Sequence, residues 1–266
     1  MKSSRGTVGQ DGGMKVVAVA GAKGGIGKTA TAVNLAMLSS QAGFRTLLWD
    51  LDPQGAATHC YRAKAKVKGG AAKVLGGRRD LANFVRHTDY ELLDLLPADP
   101  SFRIVDTVLS TRRWPEKVLR KLLRSVRDRY DVVLLDCAPG LGIVTESIIE
   151  ASDLVLAPVV PAPLAVRGFD QIAEFVKERQ PAMPVLAFLS MVDERKVLHR
   201  QVMAQVADDQ RFSPATVVVS SSVERMGMEQ VPAVLASPHN LAAKGYAGLW
   251  ADLENRLDLQ RPIPTD

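Results

Sequence analysis

The stretch KVVAVAGAKGGIGKTATAVNLAM (15–37) decides the fold of this 266-residue chain. The apolar, β-branched run KVVAVAG (15–21) predicts a buried strand that ends in glycine. The residues from Thr29 onward predict a helix that stops at Gly43. Between the two lies a glycine-rich loop that ends in Gly-Lys-Thr. A strand, a glycine-rich loop and a helix in this order are the setting of a phosphate-binding loop.

The loop GAKGGIGKTA (21–30) carries the groups that phosphate binding needs. Its glycines let the backbone turn tightly and bring N–H groups close to phosphate oxygens. The start of the following helix adds its dipole and free N–H groups. Lys28 would reach the outer phosphates, and the Thr29 hydroxyl would bind Mg²⁺. A tight glycine turn without a ligand is the alternative, and the aspartates described below argue against it.

Two features of the loop depart from the plain pattern G-x-x-x-x-G-K-[ST]. Ala22 stands where the first glycine is expected, and a second lysine, Lys23, lies five residues before Lys28. Phosphoryl transfer needs positive charge near the γ-phosphate oxygens. Lys23 could supply that charge to a neighbouring molecule. The residues alone, however, favour a solvated loop lysine.

Three aspartates lie at the ends of two further predicted strands. Asp50 and Asp52 belong to WDLDPQG (49–55), and Asp136 ends DVVLLD (131–136). Each could be an ordinary turn residue if taken alone. Since the carboxyl ends of parallel strands line the crevice where ligands bind, we expect all three carboxylates to face the loop. Asp136 is the candidate for holding Mg²⁺.

Apolar runs and helical patterns alternate along the rest of the chain. Strands are predicted at 45–52, 91–98, 131–136, 153–160, 184–192 and 215–220, and helices at 29–43, 115–129, 144–151, 164–179 and 195–208. This order indicates a mostly parallel, twisted sheet with helices on both faces. We expect one α/β domain of the P-loop NTPase type over 14–259, between a flexible leader (1–13) and a C-terminal tail (260–266).

Composition narrows the class of protein. The net charge of +5 permits a polyanionic partner without establishing one. Two cysteines, Cys60 and Cys137, are too few for a disulfide framework and suit a reducing compartment. The first residues lack the apolar core of a signal peptide, and no apolar run reaches the roughly 18 residues of a membrane span. We therefore expect a cytoplasmic protein.

These motifs resemble those of the ParA/MinD family of ATPases, and more closely those of its ParA branch. The family's deviant loop, K-G-G-x-G-K-[ST], is matched by KGGIGKT (23–29). Its second motif is matched by LWDLDPQG (48–55) and its third by LLDCAPGLG (134–142). VLAPVVPAPLAVRG (155–168) and SMVDERKVLHRQV (190–202) are also similar to the ParA pattern. The resemblance covers nearly the whole chain.

The resemblance implies a role for each matching residue. Lys23 matches the signature lysine that reaches the partner's phosphates in an ATP-bound sandwich dimer. Asp52 matches the aspartate that positions the attacking water, so Lys23, Lys28 and Asp52 form the expected catalytic set. Thr29 and Asp136 match the Mg²⁺ site, and Asp50 is a further candidate for the metal shell. The expected nucleotide-binding residues are Lys23, Gly24, Gly25, Ile26, Gly27, Lys28, Thr29 and Ala30.

The resemblance also implies an activity and partners. It implies slow ATP hydrolysis stimulated by a ParB-like or other adaptor protein, non-specific DNA binding on the nucleoid, and positioning of a plasmid, chromosome or protein assembly. ATP is favoured over GTP because no N-K-x-D-like segment accompanies DPQG (52–55). The DNA-contact candidates are Arg195, Lys196, Arg200, Arg211 and Arg225. A MinD-like membrane switch and a metabolic or metal-inserting P-loop ATPase remain alternatives.

Several segments depart from the family or lie outside its motifs. Ala30 replaces a Thr or Ser, which removes a hydroxyl near the α-phosphate, and 220–232 fits the family's adenine loop only loosely. Residues 62–79 hold seven basic residues and no acid, which predicts a mobile basic loop. The helix at 115–129 has a basic outer face. The polar face of 241–266 carries acids, so we expect a helix packed on the core rather than on a membrane, and no membrane partner.

Overall fold

The computed structural model of the protein describes residues 13–77, 80–140 and 142–261, which build one eight-stranded sheet. The strands are β1 (Lys15–Val19), β2 (Thr46–Asp50), β3 (Arg86–His87), β4 (Leu93–Leu96), β5 (Val132–Asp136), β6 (Leu154–Val159), β7 (Val185–Val192) and β8 (Phe212–Val218). Their spatial order is β3-β4-β2-β5-β1-β6-β7-β8, and only β3, at one edge, runs antiparallel to its neighbour. The predicted α/β fold with a mostly parallel sheet is confirmed.

Helices connect the strands and cover both faces of the sheet. They are α1 (Lys28–Gln41), α2 (Ala56–Cys60), α3 (Gly70–Leu75), α4 (Val105–Ser110), α5 (Val118–Arg124), α6 (Ile143–Ala151), α7 (Pro163–Arg179), α8 (Val197–Val206), α9 (Ser221–Glu229), α10 (Ala233–Ala236) and α11 (Leu241–Arg256). Short 3-10 turns occupy Leu81–Phe84, Pro100–Ile104 and Pro115–Lys117. In the described part of the chain, no helix is long and apolar enough to cross a membrane.

The central strands are apolar on both sides because each side faces a separate layer of the core. Successive residues of a strand point to opposite faces of the sheet. Val17 and Leu134 therefore pack with α1 and α11, whereas Ala18 and Leu135 pack with α5 and α6. Burial on both faces explains why these strands show no polar–apolar alternation in the sequence.

The C-terminal helix α11 packs on the core, as its apolar stripe predicts. Leu249 and Leu253 are fully buried, and the Trp250 ring meets Phe44 edge-on at 6.0 Å between centroids. Gly245 lets the helix approach β8, because a Cβ at this position would lie 2.2 Å from the carbonyl oxygen of Thr216. Leu241, at the helix start, is 69% exposed.

The prediction of a mobile basic loop over 62–79 is wrong in its middle part. Residues from Gly70 to Leu75 form α3, and Val74 and Leu75 are buried. The Asp99 carboxylate accepts a hydrogen bond from the backbone N–H of Val67, which ties the segment to the sheet edge. The glycines hide this helix from sequence analysis, because Gly disfavours helix interiors in general.

The helix predicted over 115–129 is shorter than its apolar pattern suggests. It opens with the 3-10 turn Pro115–Lys117 and is helical over Val118–Arg124. The pattern extends further because Val126, in the following turns, is also buried. The predicted leader and tail lie almost wholly outside the described residues.

Candidate functional site

The phosphate loop joins the end of β1 to the start of α1. Gly25 and Gly27 have φ angles of 74° and 95°, in the left-handed region that favours glycine. A Cβ on Gly27 would also lie 2.9 Å from the Ser190 hydroxyl of β7. Glycine is thus required at position 27 for two reasons: the positive φ angle of the backbone and the close approach of the Ser190 hydroxyl. Ser190 was not among the predicted site residues. Its position near the end of an apolar strand is the sequence feature that could have identified it.

Lys28, the first residue of α1, is 6% exposed. Its Nζ donates a hydrogen bond of 2.8 Å to the carbonyl oxygen of Lys23, so the ammonium lies against the loop. Burial lowers the pKa of Lys28, while the nearby carboxylates of Asp136 and Asp52 oppose that shift. The side chain of Lys23 itself is exposed. The two lysines of the loop therefore point to different surroundings, one into the site and one into solvent.

Asp136 brings to the site a buried carboxyl group that has no hydrogen-bond partner among the described residues. It ends β5, where it pairs with Val19 of β1 on one side and Asp50 of β2 on the other. Its side chain is fully buried, and neither oxygen has a hydrogen-bond partner among the residues that the structure describes. Burial, followed by the charge of Asp50, raises the pKa of Asp136 well above its ordinary value, against the opposing influence of Thr29 and Lys28.

This orphaned carboxylate fits a magnesium ion. Mg²⁺ prefers oxygen ligands and keeps several waters or phosphate oxygens around it. Asp136 supplies a buried oxygen pair, and the Thr29 hydroxyl lies close enough to lower the pKa of this carboxyl group. Among the described residues, no group of three or more His, Cys, Asp or Glu side chains could hold a metal alone. A magnesium ion here would therefore take its remaining ligands from water or from a bound phosphate.

Asp50 lies beside Asp136, but other groups already occupy its carboxylate. Oδ2 accepts hydrogen bonds from the Thr58 N–H at 2.8 Å and the Thr58 hydroxyl at 2.7 Å, and Oδ1 accepts one from the Asp52 N–H at 3.2 Å. Burial raises the pKa of Asp50 to about 6. The hydrogen bonds of Asp50 anchor α2 and the turn at Asp52. A role of Asp50 in binding the metal stays a prediction.

Thr58 is a supporting residue that sequence reasoning missed. It is fully buried in α2, and its hydroxyl also accepts a hydrogen bond of 2.8 Å from the Ala98 N–H. One side chain thus links the ends of β2 and β4. A Thr inside an unpredicted five-residue helix gave no sequence signal of this role.

Asp52 lies at the mouth of the site and is only partly buried. Its Oδ1 accepts a hydrogen bond of 2.9 Å from the Gln54 N–H, and Gly55, with φ of 68°, then starts α2. Asp52 is close enough to Lys28 for its charge to affect the lysine's pKa. The structure therefore brings together the loop, Lys28, Asp52 and Asp136, as their positions at strand ends predict.

The segment 220–232, which was compared with the family's adenine loop, contains helix α9. Asn34 of α1 holds this segment in place: its Nδ2 lies 3.2 Å from Met226 Sδ, and its Oδ1 accepts a 3.0 Å hydrogen bond from the Val234 N–H. The His59 ring adds a 2.8 Å contact to the carbonyl of Gly227. Helices α1 and α2 therefore both bind the segment at the far end of the nucleotide loop.

The cysteines offer no exposed thiol for a metal cluster. Cys60 and Cys137 are free, buried, and 5% and 3% exposed. Burial raises the pKa of Cys60 to about 11 and that of Cys137 further. Both are small core residues.

The C-terminal arginines predicted to contact DNA are paired within the chain. Arg195 binds Asp193 at 2.8 Å, Arg211 binds both Asp209 and Asp170, and Arg225 binds Glu229 at 2.8 Å. Arg200 donates to a backbone carbonyl, that of Glu194, and Lys196 is exposed. Much of the positive charge of this group is therefore already compensated.

Known proteins share this sequence and fold. The family model AAA_31, an AAA domain, matches residues 14–185. The chain is 31% identical over 243 residues to the sporulation initiation inhibitor protein Soj of Bacillus subtilis (strain 168), covering 88% of this chain and 96% of Soj. It is 29% identical over 250 residues to the chromosome partitioning protein ParA of Myxococcus xanthus (strain DK1622), covering 91% and 88%. A plasmid partition protein of Borrelia burgdorferi B31, solved with bound AMPPNP, shares the fold at a TM-score of 0.81 and 20% identity, covering 91% of this chain and 99% of that one.

Proposed function

Because the chain belongs to the ParA branch of the ParA/MinD family of ATPases, we propose that it binds ATP with Mg²⁺ and hydrolyses it slowly as part of a partition or cargo-positioning system. The ATP-bound form is a sandwich dimer that binds DNA without sequence preference. An adaptor protein, ParB-like or of another kind, stimulates hydrolysis and releases the dimer. The cargo is a plasmid, a chromosome or a protein assembly.

The observation that carries the proposal is the buried, unpartnered carboxylate of Asp136 beside a phosphate-type loop. Charging a buried carboxyl group whose oxygens have no hydrogen-bond partner is costly, and a bound cation would offset that cost, so this feature supports a metal site. Asp136 and the Thr29 hydroxyl would hold Mg²⁺, which when bound neutralises charge on the phosphates. The hydrogen-bond donors of the loop and the Lys28 ammonium would bind the phosphate oxygens.

Two residues divide the remaining work. Asp52 is only partly buried and lies near Lys28, so its free carboxylate oxygen would orient a water towards the terminal phosphate. The exposed side chain of Lys23 would bind phosphates of the partner molecule. Because Lys28 is proposed to bind the chain's own nucleotide, a second lysine that binds the partner's phosphates supports a dimer as the hydrolysing species.

The test is to mix the purified protein with Mg²⁺ and one of AMPPNP, ATP or ADP. Light scattering then measures the mass of the protein, and a titration at low salt measures its binding to a DNA duplex of unrelated sequence. We expect dimers and DNA binding with AMPPNP, fewer with ADP, and neither without nucleotide. A protein that binds AMPPNP as a monomer and leaves DNA unbound would contradict the partition proposal while retaining an ATP site. Anionic vesicles serve as a further arm, and ATP-dependent binding to them in place of DNA would favour the membrane switch.

A further inference from the structure

A second concave surface lies between the end of α3 and helix α5. It is a groove of about 670 Å³ that runs past Gly76, Gly77 and the turn before α5. Of the described residues that line this α5 groove, none belongs to the phosphate loop or to the strand ends that carry the aspartates. The α5 groove is therefore separate from the proposed nucleotide site.

The base of the α5 groove is apolar. Leu75 and Leu122 are buried and Val118 is half-buried, and all three side chains contribute to the lining. Trp114, which is 56% exposed, lies beside them. Grouped apolar side chains that remain accessible in a concave surface favour an occupant with apolar groups of its own.

Cations surround this apolar base. Lys117, Lys121 and Arg124 are spaced by four and three residues, which places them along one side of α5. The carboxylate among the lining residues is Glu150, which Arg120 binds at 2.8 Å. The cations that line the groove are Arg112, Arg113, Lys117, Arg120, Lys121 and Arg124. Six cations against one carboxylate give the groove a large excess of positive charge, which attracts negatively charged groups.

Trp114 connects the apolar and the charged parts of the groove. The Arg113 guanidinium lies 5.7 Å and the Lys117 ammonium 4.9 Å from the centroid of its ring, within cation–π distance. These contacts hold two positive charges beside an exposed aromatic surface. Trp and Arg are residue types in which the binding energy of protein–protein interfaces is often concentrated.

A protein segment matches this combination better than a nucleic acid does. A phosphodiester backbone supplies negative charge, but it carries no apolar side chain that could pack on Leu75, Val118 and Leu122. A segment in which acidic and apolar side chains recur at helical spacing supplies both. The positive charge also disfavours basic segments, because like charges that meet across an interface are costly.

We propose that the α5 groove is a docking site for a short acidic segment of another protein. Carboxylates of that segment bind Lys117, Lys121 and Arg124, and its apolar side chains pack against Trp114 and the apolar base. The inference goes beyond the proposed function and does not depend on it. It gives the protein a contact through which a partner is held apart from the nucleotide site.

The test uses a synthetic peptide of about 15 residues with Leu at helical spacing and Glu elsewhere, the Leu–Glu peptide. The comparison probes are a Ser–Glu peptide, which lacks the apolar residues, a Leu–Lys peptide of opposite charge, and a DNA duplex. Each probe carries a fluorescent label, and anisotropy measures its binding to the full chain. The Leu–Glu peptide should bind at least about tenfold more tightly than the Ser–Glu peptide, because it also buries apolar surface. The Leu–Lys peptide should not bind.

Two triple variants that remove equal charge locate the site. The groove variant is Lys117→Gln, Lys121→Gln, Arg124→Gln, and the control variant is Arg127→Gln, Arg129→Gln, Lys177→Gln. The control cations are exposed and do not line the groove. The groove variant should bind the Leu–Glu peptide at least about tenfold more weakly than the wild type, and the control variant should differ by less than about threefold.

Trp114 offers an independent optical readout. The other tryptophans, Trp49 and Trp250, are 0% and 4% exposed, so a collisional quencher reports chiefly on Trp114. The unlabelled Leu–Glu peptide, which contains no aromatic residue, should shield the wild type from quenching by acrylamide. This shielding should be absent in Trp114→Phe.

The outcomes decide both the place and the class of the partner. Melting temperature and circular dichroism verify that each variant is folded. A folded groove variant that binds the Leu–Glu peptide like the wild type, or a wild type that binds none of the peptides, would overturn the proposal. If the Ser–Glu peptide or the duplex shields Trp114 as well as the Leu–Glu peptide does, the groove is a general polyanion site and its assignment to a protein segment is wrong. Failure of the proposed function would be seen separately, as a wild type that does not bind AMPPNP.

Discussion

At the scale of single residues, the aspartates of the site differ in their hydrogen-bond partners. Asp50 is occupied by Thr58 and by the amide of Asp52, whereas Asp136 has no partner among the described residues. Among the described residues, the Asp52 carboxylate accepts a hydrogen bond through Oδ1 alone, so Oδ2 is available to another group. Neighbouring aspartates thus divide into an anchor, a metal candidate and a water-positioning candidate because of their different contacts.

Replacement of Asp52 should separate binding from turnover. We expect Asp52→Ala to bind ATP and to form dimers normally, because the loop and Lys28 are unchanged. Hydrolysis should fall by about 10²–10⁴-fold through loss of the group that orients water. Phosphate release and light scattering measure the two properties. The exposed Asp89→Ala is the control, and normal hydrolysis in Asp52→Ala would remove Asp52 from its proposed role.

Replacement of Lys23 should affect assembly more than nucleotide binding. The backbone carbonyl of Lys23, which accepts the bond from Lys28, is kept in Lys23→Ala. Binding of a fluorescent ATP analogue to the dilute monomer should therefore change by less than about threefold. The dimer fraction with AMPPNP should fall at least about tenfold, since a charge-assisted contact contributes about 1.5–3 kcal/mol. Lys244→Ala, on α11, is the matched control. A variant that dimerises normally would show that Lys23 is only a solvated loop residue.

At the scale of elements, the segment that carries α3 depends on one buried carboxylate. Asp99 is 7% exposed and accepts hydrogen bonds from the Val67 N–H at 2.8 Å, the Ser101 N–H at 2.9 Å and the Ser101 hydroxyl at 2.6 Å. Burial raises the pKa of Asp99, but these hydrogen bonds lower it by more, so the net pKa lies below the ordinary value. The carboxylate form therefore stabilises the link between β4 and α3.

This shift predicts a stability that is lost in acid. Because the pKa of Asp99 is lower in the folded state, its contribution is present above the unfolded pKa of about 3.9 and disappears as pH falls through the folded value. Asp99→Asn should lower the free energy of unfolding by about 1–3 kcal/mol at pH 7. Urea denaturation at pH 7 and pH 3 measures the difference, which should narrow in acid. The variant Asp89→Asn removes the same charge at an exposed position and serves as the control. An equal deficit at both pH values would rule out the carboxylate as its source.

At the scale of the whole molecule, the sheet order places the site where β2, β5 and β1 end side by side. The register pairs Asp50 with Asp136 and Asp136 with Val19, so residues far apart in the chain meet at one edge. Helices α1 and α11 pack on one face of these strands, and α5 and α6 pack on the other. Ligand binding at the edge should therefore stabilise the entire domain.

Mg²⁺ and ATP together should raise the melting temperature, because a ligand that binds only the folded state stabilises it by mass action. At a hundredfold excess over Kd, the gain is about 2.7 kcal/mol. Differential scanning fluorimetry with AMPPNP, with and without EDTA, measures it. Asp136→Asn should lose the part that depends on Mg²⁺. If EDTA leaves the shift unchanged in the wild type, Asp136 holds no functional metal.

The sequence by itself determined the strand–loop–helix motif, the succession of strands and helices along the chain, the family and the residues of the loop. These features depend on local pattern and spacing. It also predicted the convergence of Asp52 and Asp136, since parallel strands end on one side. Only the tertiary structure decided which carboxylates lack a hydrogen-bond partner among the described residues, and that α3 lies within 62–79. Those properties depend on contacts between segments that are distant in the chain, such as the Val67 N–H with Asp99 and the Ala98 N–H with Thr58, and local sequence does not reveal them.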